Sequence, residues 1–493
     1  MMKKVFIFLC MSVGLLSCTS ENFTSEEETL ASVPMRFDIK VADNAETKAV
    51  KTDWANGDKI YVFFNGLGTK YLILERSNGI WSKTSGGGTL ENTDFENLST
   101  KTLTAVHFPV AVDVSYADNK FSFTNDSKPV YNYYLFQAGK DYTVSGNTVT
   151  ATLTMGKPAD MVQFHVAGIQ TNVSDYTFGC SKIKPVACTS VGTNGAVTES
   201  VLQDGARLSG VADADGGIFA GRLTTTASAD YKFTLASDDY IYTLTRTSRT
   251  LTAGKMYNFP ALSDTGDSNW AVTNASDLYV DLGITVGNKK VYWAKYNLGA
   301  TTETDYGDYF AWGEITGYKN YKYNNGSTKF YWSNYLWGNT STALTKYCND
   351  SSFGKGGFTD GLMTLQPEDD AAYAALGGKF RMPTSSEIDA LLALSKEWVN
   401  NYNNTGISGY KFTGNGNTLF LPAGGKPFDN NSNEDCSAGN KGFYWSSSFH
   451  MYYGWNSPEM ASSLHFQNYS SSKKIERQGG SRYSGFSVRP VSD

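Results

Sequence analysis

Lys379–Leu394 reads KFRMPTSSEIDALLAL, and its physical reading sets the fold class of the C-terminal half. Thr384 and Glu387 stand at the spacing of a capping box, in which each side chain satisfies a free backbone N–H at a helix start. Pro383 shapes the entry, and Ile388, Leu391 and Leu392 make the buried stripe of a short helix. Just upstream, LQPEDDAAYAALGG at Leu365–Gly378 predicts a second short helix, opened by Pro367 and closed by Gly377 and Gly378. Around these helices lie short strands. LYVDLGITVGNKKVYWAKYNLGATTETDYGDYFAWGE, Leu278–Glu314, places two strands about a Gly287-Asn288 turn. GFYWSSS at Gly442–Ser448, SSLHFQNY at Ser462–Tyr469 and GFSVRPV at Gly485–Val491 finish the chain. The C-terminal half therefore reads as an α+β unit with a long Tyr/Asn/Gly/Ser-rich stretch, Thr316–Gly357, inside it.

The other half has a different rhythm. Met35, Phe37, Ile39 and Val41 alternate with Arg36, Asp38 and Lys40, the signature of a strand with one wet face. GDKIYVFF, YLIL, TVTATLTM, MVQFHVAGI, YKFTLA, YIYTLTR and KMYNFP follow as far as Pro260, and this spacing predicts one or two β-sandwiches with a sub-boundary near residue 170. His165, inside an apolar strand, reads as a packed histidine. Ala261–Ser276 has no strong periodicity, and eight of the ten tryptophans lie at Trp270 or later. The expected organisation is 1–17 signal peptide, 18–33 acidic tether, 34–262 sandwich region, 263–275 linker and 276–493 recognition domain.

Lys3 and Lys4 precede an apolar run, Val5–Leu16, too short to span a bilayer. It ends in Leu15-Leu16-Ser17-Cys18, which resembles a bacterial lipobox, so Cys18 is expected to carry the lipids; an ordinary secretory signal is the alternative. Several acyl chains on one residue anchor stably where a single chain would be marginal. The following TSENFTSEEETLAS is polar and acidic, as a flexible tether would be. A net charge of −6 without a long basic run excludes a nucleic-acid partner. No CxxC, HxH or HExxH occurs, so no metal ligand set is assigned. Cys180 with Cys188 could bridge a hairpin, and Cys348 with Cys436 could staple two loops.

The first half resembles the fimbrillin-like (Mfa-like) lipoproteins of Bacteroides. The likeness rests on the lipobox, the early alternating strand, and Thr47-Lys48-Ala49, Trp54 and Gly57-Asp58 within Ala42–Phe63. It implies a surface-exposed outer-membrane lipoprotein whose partners are pilus subunits, with proteolytic processing at Lys48 followed by strand exchange. The family's arginine is absent between Val41 and Trp54, which has only Lys48 and Lys51. The region from about 276 to 493 resembles the Fibrobacter succinogenes major paralogous domain (FISUMP). WAKYNLGA, YGDYFAWGE, LTKYC, PEDDAA, RMPT, YWSSS and SVRPV carry that likeness, with Leu376 and Phe380 where tryptophans are usual. It implies a C-type-lectin-like fold related to formylglycine-generating enzymes.

Three chemistries then compete for the C-terminal unit. Formylglycine-type oxidation needs cysteines near the final strands, and Gly479–Asp493, GGSRYSGFSVRPVSD, has none. Calcium-dependent sugar binding draws on Gln366-Pro367-Glu368, but acids at a helix N-terminus also simply oppose the helix dipole. Calcium-free recognition by aromatic loops draws on KFYWSNYLWGNTS, Lys329–Ser341, and HMYYGWNS, His450–Ser457. The candidate contacts are Tyr335, Trp337, Tyr453 and Trp455. The expected protein is mainly β: fimbrillin-like sandwiches followed by an α+β C-type-lectin-like domain. The function read from it is a non-enzymatic pilus-tip adhesin without cofactor that recognises a host glycan or protein. A surface glycan-binding lipoprotein outside any pilus is the alternative.

Overall fold

The computed structural model describes residues 33–41, 54–169, 172–263, 269–319, 329–427, 438–452, 455–469 and 472–493. Cys18, Lys48, Cys436 and Tyr453 lie outside the described residues. The protein is mainly β and built from several sheets.

KIYVFF becomes the central strand Lys59–Phe64 of a five-stranded sheet, flanked by Leu72–Ser77 and Thr102–His107. Its unbroken apolar run follows from burial on both faces, because Ile60 to Phe64 are all buried. Ile60, Val62 and Phe64 face a core closed by Met35 and Ile39 of Arg36–Val41 and by Val149, Ala151 and Leu153 of Thr148–Leu153. Tyr61 and Phe63, on the sheet's other face, pack into a smaller cluster of the same part with Phe121, Phe123, Cys188 and Val191. Arg36–Val41 alternates as its sequence predicts and lies at the edge of its sheet, parallel to Thr148–Leu153.

The next sheet runs in the order Met256–Phe259, Met161–Ala167, Gly216–Leu223, Leu208–Asp213, Thr177–Gly179, Ala229–Ala236, Tyr240–Arg249, Ala271–Asn274. It curls until its first and sixth strands face each other: the Phe233 and Phe259 rings are 4.9 Å apart, over a core shared with Phe164 and Phe178. Residue 170 does not divide the two parts cleanly. The hairpin formed by Val186–Gly192 and Val197–Val201 pairs with Lys120–Thr124 and covers the first part, and Ile218 and Ala220 enter the first core. The expected linker is likewise folded in part. Trp270 is buried in the second core and donates to the Pro260 carbonyl at 2.9 Å, and Ala271–Asn274 forms the sheet's last strand. Of the two cysteine pairings, Cys180 with Cys188 is not made, and Cys348 with Cys436 falls on a residue outside the described ones. Cys180, Cys188 and Cys348 are free, and Cys180 and Cys188 sit in different cores.

In the C-terminal unit the hairpin Tyr279–Val286 and Lys289–Ala294 pairs with the last residues, Val491 and Ser492. Helix Ser385–Leu392 packs Ile388 and Leu391 on Leu282, Trp293, Phe412 and Phe466. Thr384 and Glu387 make the predicted capping box. Arg489, of the SVRPV motif, is buried and ties distant segments together. It donates to the Ala294, Lys295 and Phe420 carbonyls and to Asn297 Oδ1, at 2.8–3.1 Å.

KFRMPT is also the joint between the two halves. Phe380 packs against Ala236 and Ile241 of the second sandwich, and Lys379 pairs with Asp238 at 3.3 Å. Arg381 grips Glu387 through two bonds of 2.7 and 2.8 Å and also reaches Asp493. Burial opposes ionisation of Glu387, but the Arg381 bonds outweigh it and hold that carboxyl below its ordinary value. Gly377, at φ +67, closes the preceding helix where a Cβ would lie 2.7 Å from that of Ala236. Gln203 and Arg207 of the sandwich reach across to Asp369 and to the Tyr373 carbonyl.

Candidate functional site: an aromatic platform beside an open trough

The acidic turn Gln366–Asp370 is used up internally. Asp369 accepts from Gln203 Nε2 at 2.7 Å and Tyr347 Oη at 2.5 Å, and pairs with Lys346. Asp370 caps helix Ala371–Leu376 through the Ala372 and Tyr373 amides and also accepts from Met382 N. Burial pushes the Asp370 carboxyl up to about 6. Glu368 lies 3.5 Å from Lys346. Asp370 thus caps the helix, while Asp369 and Glu368 are held by side chains of the loop and the sandwich.

That loop carries the first candidate contacts. Tyr335 is only 5% exposed, and its hydroxyl donates to the Trp312 carbonyl at 2.9 Å, so it supports the loop from below and does not present its ring. Trp337 is half-buried. Its Nε1 donates to the Gly313 carbonyl at 2.7 Å, and Lys346 lies 5.0 Å over its ring. Like Trp337, two further rings of this loop are partly open: Tyr331 and Trp332 gather about Tyr483, with centroids 6.4 and 5.2 Å away. Leu336 beside them is 49% exposed. Arg482, buried next to Tyr483, fixes this corner by donating to the Tyr347 carbonyl at 2.6 Å and lying 4.8 Å from the Trp312 ring centre. Tyr331, Trp332 and Tyr483 were not among the expected contacts. Tyr331 and Trp332 belong to the quoted loop, but which of its rings face outward is decided by carbonyls about twenty residues away.

The second candidate segment lies in a ribbon of three strands, Lys441–Tyr452, Trp455–Tyr469 and Ser472–Ser481, which forms one side of a six-stranded sheet. Trp455 opens its strand opposite Tyr452. One side of the ribbon holds a 770 Å³ trough lined by His450, Met451, Ser457, Met460, Arg477 and Gln478. It continues past Lys474 and Glu476 into a 360 Å³ extension with Lys426, Lys441, Phe443 and Gln467. Lys426 and Lys441 stand 5.8 and 5.4 Å from the Phe443 and Tyr469 ring centres. Arg477 makes two bonds to Asp389, 2.7 and 2.9 Å. Met460 of the trough pairs with Ser481, and Tyr483 of the platform follows two residues further along the chain. Amide, ammonium, hydroxyl and ring surfaces of this kind hold polar ligands without covalent chemistry. Cys348, in the same unit, is buried, bonds to the Asp350 carbonyl at 3.1 Å and has its pKa raised by that burial, the condition of an inert cysteine.

No family model and no curated protein sequence matches the chain. Solved structures similar to it include a fimbrial protein from Bacteroides ovatus, at 9% identity and TM-score 0.24, covering 94% of this chain and all of that one. A candidate cell adhesion protein from the same species has 13% identity and TM-score 0.26, covering 50% of this chain and 96% of its own. The fimbrial anchor protein Mfa2 from Porphyromonas gingivalis has 10% identity and TM-score 0.21, with 42% and 78% covered. At these scores the likeness carries no functional argument, and function is argued from this chain's own residues.

Proposed function

We propose that the chain is a surface recognition protein of the adhesin type, a β-sandwich stalk carrying a C-terminal ligand-binding unit and performing no catalysis. The observation behind this reading is the cluster of partly open rings Tyr331, Trp332 and Tyr483, carried on the same C-terminal unit as an open polar trough. Rigid amphipathic rings beside polar groups give contact area at low entropic cost, which suits saccharides and protein surfaces alike. The ligand is a host glycan or protein, held without calcium. Trp455 belongs to the same ribbon and joins the proposed contact set with Tyr453. Lipidation at Cys18 supplies the outer-membrane anchor.

Association with a pilus rests on the fimbrillin-like motifs and on the edge position of Arg36–Val41, which a neighbour's strand could replace after cleavage at Lys48. The test is an array of glycans and host-surface proteins probed with the full chain, with and without a calcium chelator. Saturable, chelator-insensitive binding supports the reading, and an array without signal sinks it. Recovery of the protein in sheared pili supports a tip position, whereas saccharide binding with none in pili assigns it to polysaccharide capture. Radiolabelled palmitate should enter the wild type and not Cys18→Ala.

A further inference from the structure

The strand Met161–Ala167 turns Val162, Phe164 and Val166 into the second core, leaving Met161, Gln163 and His165 on its other face. The histidine is not simply packed there. Its Nε2 lies 3.0 Å from Asp215 Oδ1 and 3.6 Å from Asp213 Oδ2, on the hairpin that joins Leu208–Asp213 to Gly216–Leu223. One ligand atom from each of the three residues falls within 4.8 Å of the others. The backbone beneath is fixed. His165 is paired on both sides, with Ile218 and Asn258, and the Gly168 amide donates to the Asp215 carbonyl at 2.8 Å. At Gly216 a Cβ would lie 1.9 Å from the Val166 carbonyl oxygen, so only glycine lets the hairpin approach this closely.

An imidazole nitrogen with two carboxylate oxygens is a donor set for a borderline divalent metal such as zinc, while calcium prefers six to eight oxygens. Ligand atoms at tetrahedral angles around bonds of about 2.0 Å stand about 3.3 Å apart, between the two separations seen here. A plain ion pair needs one carboxylate, whereas here Asp213 and Asp215 both converge on the same imidazole nitrogen.

We propose that His165, Asp213 and Asp215 bind one divalent transition metal of the zinc class. The remaining coordination position stays open to water, because Asp215 is 69% exposed and the site faces outward. Such a metal would staple the hairpin to Met161–Ala167, the second strand of its sheet.

The test is calorimetric titration of the chelator-stripped full chain with zinc chloride, and separately with calcium chloride. One equivalent of zinc should bind and raise the unfolding temperature, while calcium should do neither. Affinity should fall by more than about tenfold in His165→Ala and in Asp215→Asn. Asp215→Asn changes only an exposed turn, so it reports on the site even if His165→Ala misfolds. Absence of saturable zinc binding, or unchanged affinity in folded Asp215→Asn, overturns the proposal.

Discussion

The sandwich region and the C-terminal unit both bury large side chains, but they hold them by different means. In the sandwiches the cores are rings and aliphatic groups on alternating strands, such as Phe164, Phe178 and Phe233. In the C-terminal unit much of the chain between strands is loop, and buried arginines satisfy the carbonyls those loops leave open: Arg489 joins four acceptors and Arg482 joins the Lys346 and Tyr347 carbonyls. Apolar packing depends on volume, whereas an arginine fan depends on geometry. The first half should accept near-isosteric change, and the second should not.

The largest effect tests that contrast. Arg489→Leu, which strands four buried acceptors, should cost at least about 3 kcal/mol, against less than about 1.5 kcal/mol for Phe178→Leu. Urea midpoints should rank them in that order, and equal costs would remove the distinction. Next comes the joint. Phe380→Ala should cost about 3 kcal/mol and split unfolding into two transitions by freeing the halves from each other. A single unaltered transition would mean that the halves are coupled elsewhere.

A smaller effect has a pH signature. Glu387 is held below its ordinary value, so its contribution is complete above the usual glutamate range and disappears as pH falls through the lowered value. Glu387→Gln should therefore cost about 1–2 kcal/mol at pH 7, with the gap from wild type closing towards pH 3. Asp370 works in the opposite direction. Its carboxyl, pushed up to about 6, favours folding when protonated, and that contribution is lost as pH rises through about 6. Asp370→Asn should flatten the stability profile between about pH 4 and 6, and an unchanged profile would contradict the assignment. The smallest stability effect belongs to the platform, where Trp332→Ala should cost less than about 1 kcal/mol, as expected of a partly exposed ring.

Local chemistry made part of this legible in the sequence. Thr384 and Glu387, the Met35–Val41 alternation and the Gly287-Asn288 hairpin each depend on residues a few positions apart, and each forms as its pattern implies. Ser472–Ser481 gave no such signal. KKIERQGG lacks alternation because it is a charged outer strand whose register is set by Trp455–Tyr469. The burial of Tyr335 was hidden for a similar reason: a remote carbonyl, that of Trp312, draws it inward. Asp213 and Asp215 stand about fifty residues from His165 in sequence, and only the sheet brings them together. The opening stretch keeps its value as a fold marker and gains a second role as the joint between the halves.

The most direct test of the recognition reading takes the strongest binder from the array and measures its affinity for the full chain and for the Trp332→Ala/Tyr483→Ala double variant, with the urea midpoints recorded in parallel. The account predicts at least about a tenfold loss, since two aromatic anchors of this kind are each worth roughly 1 kcal/mol or more, with the fold retained. Unchanged affinity in a folded double variant would contradict it.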